Sequence, residues 1–331
     1  MMESLTRIVL ENESVRILVQ PELGGKIASI FLKRPGLELL QQPLHSQRQR
    51  IWAQDFAASD ASGWDECLPT IAACEVSVGT EVRRIPDHGD IWLLPTVHSA
   101  TATEAHLETA LVTMPLRLRR WITLDGSMLR VRYELRNEAA ISLSYLWSAH
   151  PLFAVDAADR IVLPETVQTL RVEDSARKRL GRHGDLCSWP IAPDRHGSAV
   201  DLRIAQAPAT TTADKLFAGP LQQGWAGLYR AQHQAGIVVR FAAEQLPYLG
   251  LWLCYGGWPD GSPQKQQSVA LEPCMAPMDS LAEALVTGCA CTLAAGKIVA
   301  WQMVCNLVGM EENVSYESFT AICASSPALM E

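Results

Sequence analysis

Hydrophobic and polar residues alternate most regularly over residues 116–136. Apolar side chains occupy nearly every second position on both sides of Asp125-Gly126, with arginine, threonine and glutamate between them. Period two on either side of an Asp-Gly pair predicts a β-hairpin with one solvated face. The arginines of this stretch belong to that face, so we do not assign them to a nucleic-acid site.

Strand patterns recur along most of the chain, whereas convincing helical patterns do not. Residues 45–58 are one of few stretches with helical or irregular character, and residues 173–212 form a long irregular region. A region of that length is usually functional, or is interrupted by short strands that the pattern hides. The other predicted strands are residues 14–20, 26–32, 91–97, 143–147, 161–163, 224–229, 236–242, 248–254, 268–272, 281–286 and 297–307.

More than ten strand candidates, with no glycine- and serine-rich linker and no repeat period, predict one all-β domain. A large antiparallel β-sandwich over residues 1–310 fits this pattern, followed by a C-terminal tail over residues 311–331. A doubly wound α/β fold is disfavoured because no strand candidate is followed by an amphipathic helix.

The charge balance is negative, since 28 lysines and arginines stand against 36 aspartates and glutamates, a net charge of −8. This balance argues against nucleic acid or an anionic membrane as a partner. The N-terminus lacks the features of a signal peptide, and no apolar run approaches membrane-spanning length. The nine cysteines include no CxxC pair, which favours reduced cysteines in a cytoplasmic protein without a zinc site.

A histidine stands at the end of a strand-like run near the middle of the chain. His150 is followed by Pro151, where a strand ladder usually ends or bends because proline has no N–H. A side chain at a strand end can be held over a cleft, and histidine changes its charge near neutral pH. A single histidine is more often a core or capping residue, so its significance depends on the residues that accompany it.

A tryptophan and two adjacent carboxylates form a second polar stretch. Trp64, Asp65 and Glu66 lie between Gly63 and Pro69. Carboxylates accept hydrogen bonds from hydroxyls and an indole face stacks on C–H surfaces, so the stretch could face a sugar. A solvated loop with capping residues explains it equally well, and the chemistry alone leaves both interpretations open.

Four short motifs that carry polar chemistry follow one another along the chain. They are Asp87-His88-Gly89, His150-Pro151-Leu152-Phe153, Asp214-Lys215-Leu216-Phe217 and Leu271-Glu272-Pro273. Their order and spacing resemble the galactose mutarotase (aldose 1-epimerase) superfamily, over roughly residues 11–307. The resemblance implies the large antiparallel β-sandwich of that family, the supersandwich.

The same resemblance implies roles for individual residues. His150 corresponds to the general acid of the family and Glu272 to the general base. His88 corresponds to the first, sugar-binding histidine, and Asp214 to a substrate-binding aspartate by its position and local motif. Lys215, beside it, is a lesser candidate.

Two tryptophans near the motifs, Trp64 and Trp258, are expected to face the cleft. One feature of the family is missing. Many mutarotases carry an early arginine that binds the sugar, and Trp64-Asp65-Glu66 takes its place in the order here. An acidic stretch instead of a cation argues against a phosphorylated hexose.

The chemistry of anomer exchange requires such an acid–base pair. A base removes the proton of the anomeric hydroxyl while an acid protonates the ring oxygen, and the aldehyde rotates before the ring closes again. A carboxylate with a reference pKa of about 4.3 is ionised near neutral pH, and an imidazole of about 6.5 can be kept protonated by a nearby acid such as Asp214 or Glu272. The reaction needs no metal, nucleotide or other cofactor.

The sequence therefore predicts an enzyme that acts on a small, unphosphorylated carbohydrate. A non-catalytic carbohydrate-binding protein on the same fold is the main alternative, and the missing arginine favours it. A different sugar isomerase or a lyase is a third. The sequence names neither the sugar nor the oligomeric state, for which a homodimer stays open.

Overall fold

The computed structural model describes residues 5–325. The first strands run in chain order as β1 (Ile8–Glu11), β2 (Val15–Gln20), β3 (Lys26–Leu32), β4 (Leu37–Glu38), β5 (Trp64–Cys67), β6 (Cys74–Val78), β7 (Glu81–Ile85), β8 (Val97–Ala100), β9 (Glu104–Ala110), β10 (Leu116–Asp125), β11 (Met128–Asn137), β12 (Leu143–Tyr145) and β13 (Ser148–Ala154).

The remaining strands lie after the middle of the chain, together with both α-helices. The strands are β14 (Arg160–Val162), β15 (Thr169–Ser175), β16 (Leu186–Ser188), β17 (Ile191–Pro193), β18 (Ala199–Asp201), β19 (Thr212–Ala218), β20 (Trp225–Arg230), β21 (Ala235–Phe241), β22 (Tyr248–Tyr255), β23 (Gln267–Cys274), β24 (Cys291–Leu293) and β25 (Ile298–Val308). The helices are α1 (Leu281–Thr287) and α2 (Tyr316–Ala324).

Two large sheets form the molecule, as predicted. The larger has 11 strands in the order β1-β2-β3-β5-β13-β23-β22-β19-β15-β16, with β4 paired to β3. The other has eight strands in the order β14-β20-β21-β25-β11-β10-β9-β8. Ladders between neighbouring strands in both sheets are antiparallel, for example those joining β13 to β23 and β10 to β11. The fold is thus a large antiparallel β-sandwich.

One continuous core fills the space between the two sheets. It includes Ile17 and Leu249 from the larger sheet and Leu118 from the smaller one. Near its centre, Tyr133 stacks on Trp301 at 5.2 Å between ring centroids. Because side chains alternate across a strand, each central strand of the larger sheet also presents residues to the opposite, outer face.

A second, smaller apolar cluster lies on that outer face of the larger sheet. Leu152 and Ala270 contribute to it from β13 and β23, and Phe56, Trp92 and Leu93 cover them from the loops. In the same strands, Phe153 and Leu271 point into the main core. This alternation decides which residues of a strand can reach the outer face, where the cavity described below is found.

Two predicted strands are not strands in the structure. Residues 281–286 belong to α1, because the Ser280 hydroxyl accepts a hydrogen bond from the Glu283 N–H and Gly288 ends the helix in a left-handed conformation. Residues 91–97 begin with a 3-10 turn, Ile91–Leu93, and only Val97 belongs to a strand. The long irregular region after residue 173 contains the short strands β16, β17 and β18.

The predicted tail, residues 311–331, lies partly outside the described residues, which end at 325. Its described part contains α2, which packs on β20 and β21 through the buried side chains of Phe319 and Cys323. Gly227 and Gly236 make room for the helix, since a Cβ atom there would lie 2.6 Å from the Cys323 Sγ and 2.7 Å from the Phe319 ring. None of the helices within residues 5–325 has the length and apolar character needed to cross a membrane.

Candidate active site

A cavity of about 230 Å³ opens on the outer face of the larger sheet. Its polar lining includes His88, His150, Lys215 and Glu272. The volume is below the range of about 300 to 1,000 Å³ typical of sites for drug-sized ligands. The cavity therefore suits a single small molecule.

His150 and Glu272 meet in this cavity because their strands are neighbours. The register pairs Ser148 with Cys274 and Leu152 with Ala270, which sets His150 opposite Glu272. The imidazole Nε2 lies 3.8 Å from the carboxylate Oε1, and both residues are buried. β13 continues through Pro151 to Ala154, so His150 lies within a strand and not at its end as predicted.

Lys215 reaches the same carboxylate from β19, on the far side of β22. Its Nζ donates a hydrogen bond to the Glu272 Oε2 and lies 3.7 Å from the Asp279 Oδ1. Gly250 on β22 lies between them, and a Cβ atom there would come within 2.9 Å of the Glu272 Oε2. The missing side chain thus gives the lysine and the glutamate room to meet. The Glu272 Oε1 has no hydrogen-bond partner among the described residues.

His88 enters the cavity from a tight turn. Its φ angle of 59° is in the left-handed region, which is costly for a residue other than glycine and typical of functional sites. The Nδ1 lies 2.9 Å from the Asp87 Oδ1, and the ring stacks on Phe56 at 4.2 Å. The ring also meets His150 edge-on at 4.9 Å. These contacts fix the orientation of His88 against His150.

Aromatic side chains form the apolar wall of the cavity. Phe56, Trp252 and Trp258 line it, and Trp258 packs edge-on against Trp252 at 6.1 Å. The Trp252 Nε1 donates a hydrogen bond to the Gln266 side chain, which also lines the cavity. A flat apolar wall beside polar groups suits a sugar ring, whose faces carry C–H groups and whose edges carry hydroxyls.

The buried charges of the cavity influence each other. Burial lowers the pKa of His150 well below its usual value, and the nearby His88 and Lys215 lower it further. The imidazole is therefore neutral around pH 7. Burial also opposes the charge of Lys215, but Asp279 and Glu272 outweigh it and raise the pKa of this lysine. Lys215 is therefore a permanent cation beside the Glu272 carboxylate.

The polar stretch at residues 64–66 does not face the cavity, contrary to the expectation for Trp64, Asp65 and Glu66. These residues form the buried strand β5, in which Trp64 points into the main core. The Glu66 carboxylate points the same way and accepts hydrogen bonds from the Tyr133 hydroxyl and the Trp147 indole. The stretch is a buried strand and not an acidic loop.

Asp65 points to the outer face but is covered there by two cations. The Lys26 Nζ lies 3.1 Å from its Oδ2 and the Arg50 Nη1 lies 2.9 Å from its Oδ1. Arg50 is itself covered by Trp92, whose ring lies 4.6 Å from the guanidinium. Within residues 5–325 no arginine lines the cavity, so the cation that the family places near the sugar has no arginine counterpart here.

Asp214 also lies away from the cavity, which corrects the expected substrate contact. It alternates with Lys215 along β19 and therefore points to the opposite face of the sheet. There it accepts hydrogen bonds from the Arg179 guanidinium and the Ser175 hydroxyl. It cannot keep His150 protonated from that position, and the lowered pKa of His150 agrees with this.

Several cavity residues were not identified from the sequence, namely Phe56, Asp174, Trp252 and Asp279. Asp279 follows the Leu271-Glu272-Pro273 motif closely, but no pattern singles it out. Trp252 could have been found, because it alternates in phase with Gly250 on a strand next to Glu272.

One further cluster has side chains that commonly bind metals. Glu173, His183 and Glu283 converge on the surface, yet the Arg171 guanidinium already lies between them. Its Nη2 is 2.9 Å from the Glu283 Oε1 and 3.1 Å from the His183 Nε2. Because arginine supplies the positive charge, we do not assign a metal to this cluster.

Comparisons with known proteins find structural relatives and no close sequence relatives. No protein-family model and no curated protein matches the chain. A proposed aldose 1-epimerase from Escherichia coli K12 is 16% identical, with a TM-score of 0.68 over 92% of this chain and 99% of that one. A galactose mutarotase-like protein from Lactobacillus casei ATCC 334 is 18% identical, with a TM-score of 0.62 over 91% and 100%.

A galactose mutarotase related enzyme from Lactobacillus acidophilus is also similar. It is 14% identical, with a TM-score of 0.67 over 94% of this chain and 100% of that one. At such low identities the likeness concerns the fold. The chain has the galactose mutarotase-like β-sandwich fold, as the order of its motifs predicts.

Proposed function

We propose that the protein is an aldose 1-epimerase-like enzyme that interconverts the anomers of an unphosphorylated sugar by general acid–base ring opening. The observation that carries the proposal is the approach of the His150 Nε2 to the Glu272 Oε1, at 3.8 Å, within a cavity suited to one small molecule. An acid and a base on the same side of one sheet can reach two neighbouring oxygens of a bound pyranose.

The base is the Glu272 carboxylate. Its Oε2 is held by Lys215, whereas its Oε1 is buried without a partner and is free to accept a proton. The nearby ammonium of Lys215 pairs with the carboxylate and holds it in place. The Oε1 removes the proton of the anomeric hydroxyl, and the electron pair of that O–H bond forms the carbonyl of the open sugar.

The acid is the imidazolium form of His150. As the bond between the anomeric carbon and the ring oxygen breaks, the Nε2 delivers a proton to that oxygen. The aldehyde rotates, and the two residues reverse their roles when the ring closes on the other face. His88, fixed against His150 by Phe56 and Asp87, is placed to hold a sugar hydroxyl beside the reacting atoms.

Anomer exchange can be measured directly with the complete protein. NMR saturation transfer on a panel of unphosphorylated aldoses should show faster exchange for at least one sugar. Glu272→Gln and His150→Asn should each reduce this rate by at least about a hundredfold, the usual contribution of a general acid or base.

Matched substitutions outside the cavity provide the controls. Glu38→Gln changes a half-buried carboxylate that binds backbone N–H groups near β4. His106→Asn changes a histidine that stacks on Trp121 in the smaller sheet. Both variants should exchange sugars at the rate of the parent protein. If the panel sugars bind but none exchanges faster, the enzyme proposal fails and a non-catalytic carbohydrate-binding protein replaces it.

A further inference from the structure

The cavity carries more negative charge than its own groups compensate. Among residues 5–325, four carboxylates line it, those of Asp87, Asp174, Glu272 and Asp279, against one ammonium, that of Lys215. His150 adds no positive charge around pH 7, because burial lowers its pKa. The lining therefore repels an anionic substituent and attracts a cationic one.

These carboxylates differ in the hydrogen-bond partners and counter-ions that the protein already provides for them. Asp87 is occupied, since its two oxygens contact the His88 ring and the Phe56 N–H. Glu272 and Asp279 share Lys215 as their counter-ion, which contacts the first closely and lies 3.7 Å from the second. One ammonium shared by two carboxylates leaves one negative charge without compensation.

Two carboxylate oxygens in the cavity have no hydrogen-bond partner among the described residues. They are the Oε1 of Glu272 and the Oδ1 of Asp279. The Glu272 side chain is fully buried and the Asp279 side chain is 19% exposed. Because a buried acceptor without a donor is costly, both oxygens are sites that a ligand would satisfy.

The surroundings of Asp279 favour a further cation beside it. Burial and the repulsion of Glu272 raise the pKa of Asp279 against the attraction of Lys215, so a cation that pairs with Asp279 would stabilise its ionised form. The Glu173 carboxylate, which Arg171 compensates, accepts the Asp279 N–H at 3.3 Å, and the exposed Asp174 lines the same cavity. A neutral hydroxyl would supply a hydrogen bond to Asp279 but would leave the excess charge in place.

We infer that the sugar taken by this cavity carries a protonated amino group, as in a 2-amino-2-deoxyhexose, and that this ammonium pairs with Asp279. The inference rests on the proposed function, which assigns the Glu272 Oε1 to the anomeric hydroxyl and so leaves the Asp279 Oδ1 for a substituent. The aromatic wall of Phe56, Trp252 and Trp258 suits such a ligand as well, since aromatic faces attract cations.

The test compares sugars that differ only at carbon 2. Glucosamine, galactosamine and mannosamine are each paired with the parent hexose and with the N-acetylated sugar, in slightly acidic buffer where the free amine is protonated. In at least one configuration, the amino sugar should exchange anomers with a kcat/KM about tenfold higher than both neutral partners, as one charge-assisted hydrogen bond provides.

Substitution of Asp279 identifies the group responsible. In Asp279→Asn the ratio of kcat/KM for the amino sugar to that for the neutral hexose should fall by about tenfold. Asp125→Asn, at the exposed last residue of β10, should leave the ratio unchanged. Thermal melting of both variants shows whether the fold survives. An unchanged ratio in a folded Asp279→Asn protein would overturn the pairing with Asp279.

The two proposals can fail separately. If neutral hexoses exchange rapidly and no amino sugar is preferred, the enzyme proposal stands and the inference about the substrate is overturned. If no aldose exchanges its anomers, the enzyme proposal fails. The inference about the amino group is then tested by calorimetry with methyl glycosides, whose sugar ring cannot open. Tighter binding of methyl glucosaminide than of methyl glucoside then supports it, and equal binding or none overturns it.

Discussion

His150 and Glu272 stand opposite each other on neighbouring antiparallel strands, and a proline follows each of them in the chain. Pro151 and Pro273 lack the N–H that a strand ladder uses, so the ladder between β13 and β23 is interrupted where the two side chains face the cavity. Residues on opposite positions of paired strands share one face. The register thus places an acid and a base together without any loop to hold them.

Lys215 should be needed for Glu272 to act as the base. Lys215→Met removes the ammonium shared by Glu272 and Asp279, so that Glu272 loses the partner that holds its Oε2 and the two buried carboxylates repel each other. We expect kcat for anomer exchange to fall by at least about a hundredfold near pH 7. Because Lys215 also lowers the pKa of His150, the rise of the rate towards low pH should level off at a higher pH in the variant than in the parent, a change that a merely structural role would not cause.

The matched control for this substitution is Lys297→Met, at an exposed lysine just before β25. It should leave both the rate and its pH dependence unchanged. A Lys215→Met protein that melts normally and keeps the parent pH profile would contradict the assigned role.

Gly250 should be required for the position of the Glu272 carboxylate. In Gly250→Ala the new Cβ atom would come within 2.9 Å of the Glu272 Oε2 and 3.2 Å of the Glu272 Cβ. The backbone of β22 accepts alanine, so we expect displacement of the carboxylate without unfolding. Since small misplacements cost up to about a hundredfold in rate, kcat should fall by at least about tenfold. Combined with Glu272→Gln, the substitution should have no further effect.

The pH dependence of the rate should report the protonation of His150. Burial, with His88 and Lys215, lowers the pKa of this imidazole below 6.5, so only a small fraction carries the acidic proton at neutral pH. That fraction grows by about tenfold for each unit of pH decrease above the pKa. We expect kcat/KM to rise as the pH is lowered from 8 towards 6. A flat profile would mean that neutral imidazole donates the proton.

The fold could be predicted because half-buried antiparallel strands alternate between apolar and polar residues. The pattern over residues 116–136 is the hairpin of β10 and β11, with ten residues in each strand. The apolar run in α1 offers no such alternation. Its helical form depends on the Ser280 cap and the Gly288 terminus, which are local signals that a strand interpretation overlooks.

The candidate site could be predicted only where a sequence motif identifies a residue and also shows which face of the strand its side chain occupies. His150 and Glu272 lie on the cavity face. For the neighbours Asp214 and Lys215, the motif does not show which side chain faces the cavity, and only the structure of β19 shows that it is Lys215. Because Asp65 and Glu66 carry charges, a solvated loop is one of the two interpretations that the sequence leaves open for residues 64–66. The cations that cover Asp65 come from Lys26 and Arg50, and no sequence pattern reveals such a contact.

Glu66 should make the stability of the protein depend on pH. Burial raises the pKa of this carboxyl to about 7, although Arg120, Tyr133 and Trp147 interact with its charged form. Between pH 4.5 and 7 the folded protein therefore binds a proton that the unfolded chain has released. Stability that is complete below pH 4.5 is lost as the pH rises through this interval, by about 3 kcal/mol in total.

Glu66→Gln cannot release this proton, so it should remove the corresponding part of the pH dependence. Urea unfolding of both proteins at pH 5 and pH 8 measures the effect, because His150 and the other groups contribute equally to parent and variant. The parent should lose more free energy of unfolding than the variant between the two pH values, by about 2.5 kcal/mol. Equal losses would show that Glu66 is already ionised at pH 5 and that Arg120, whose Nη1 lies 3.4 Å from its Oε1, outweighs burial in the core.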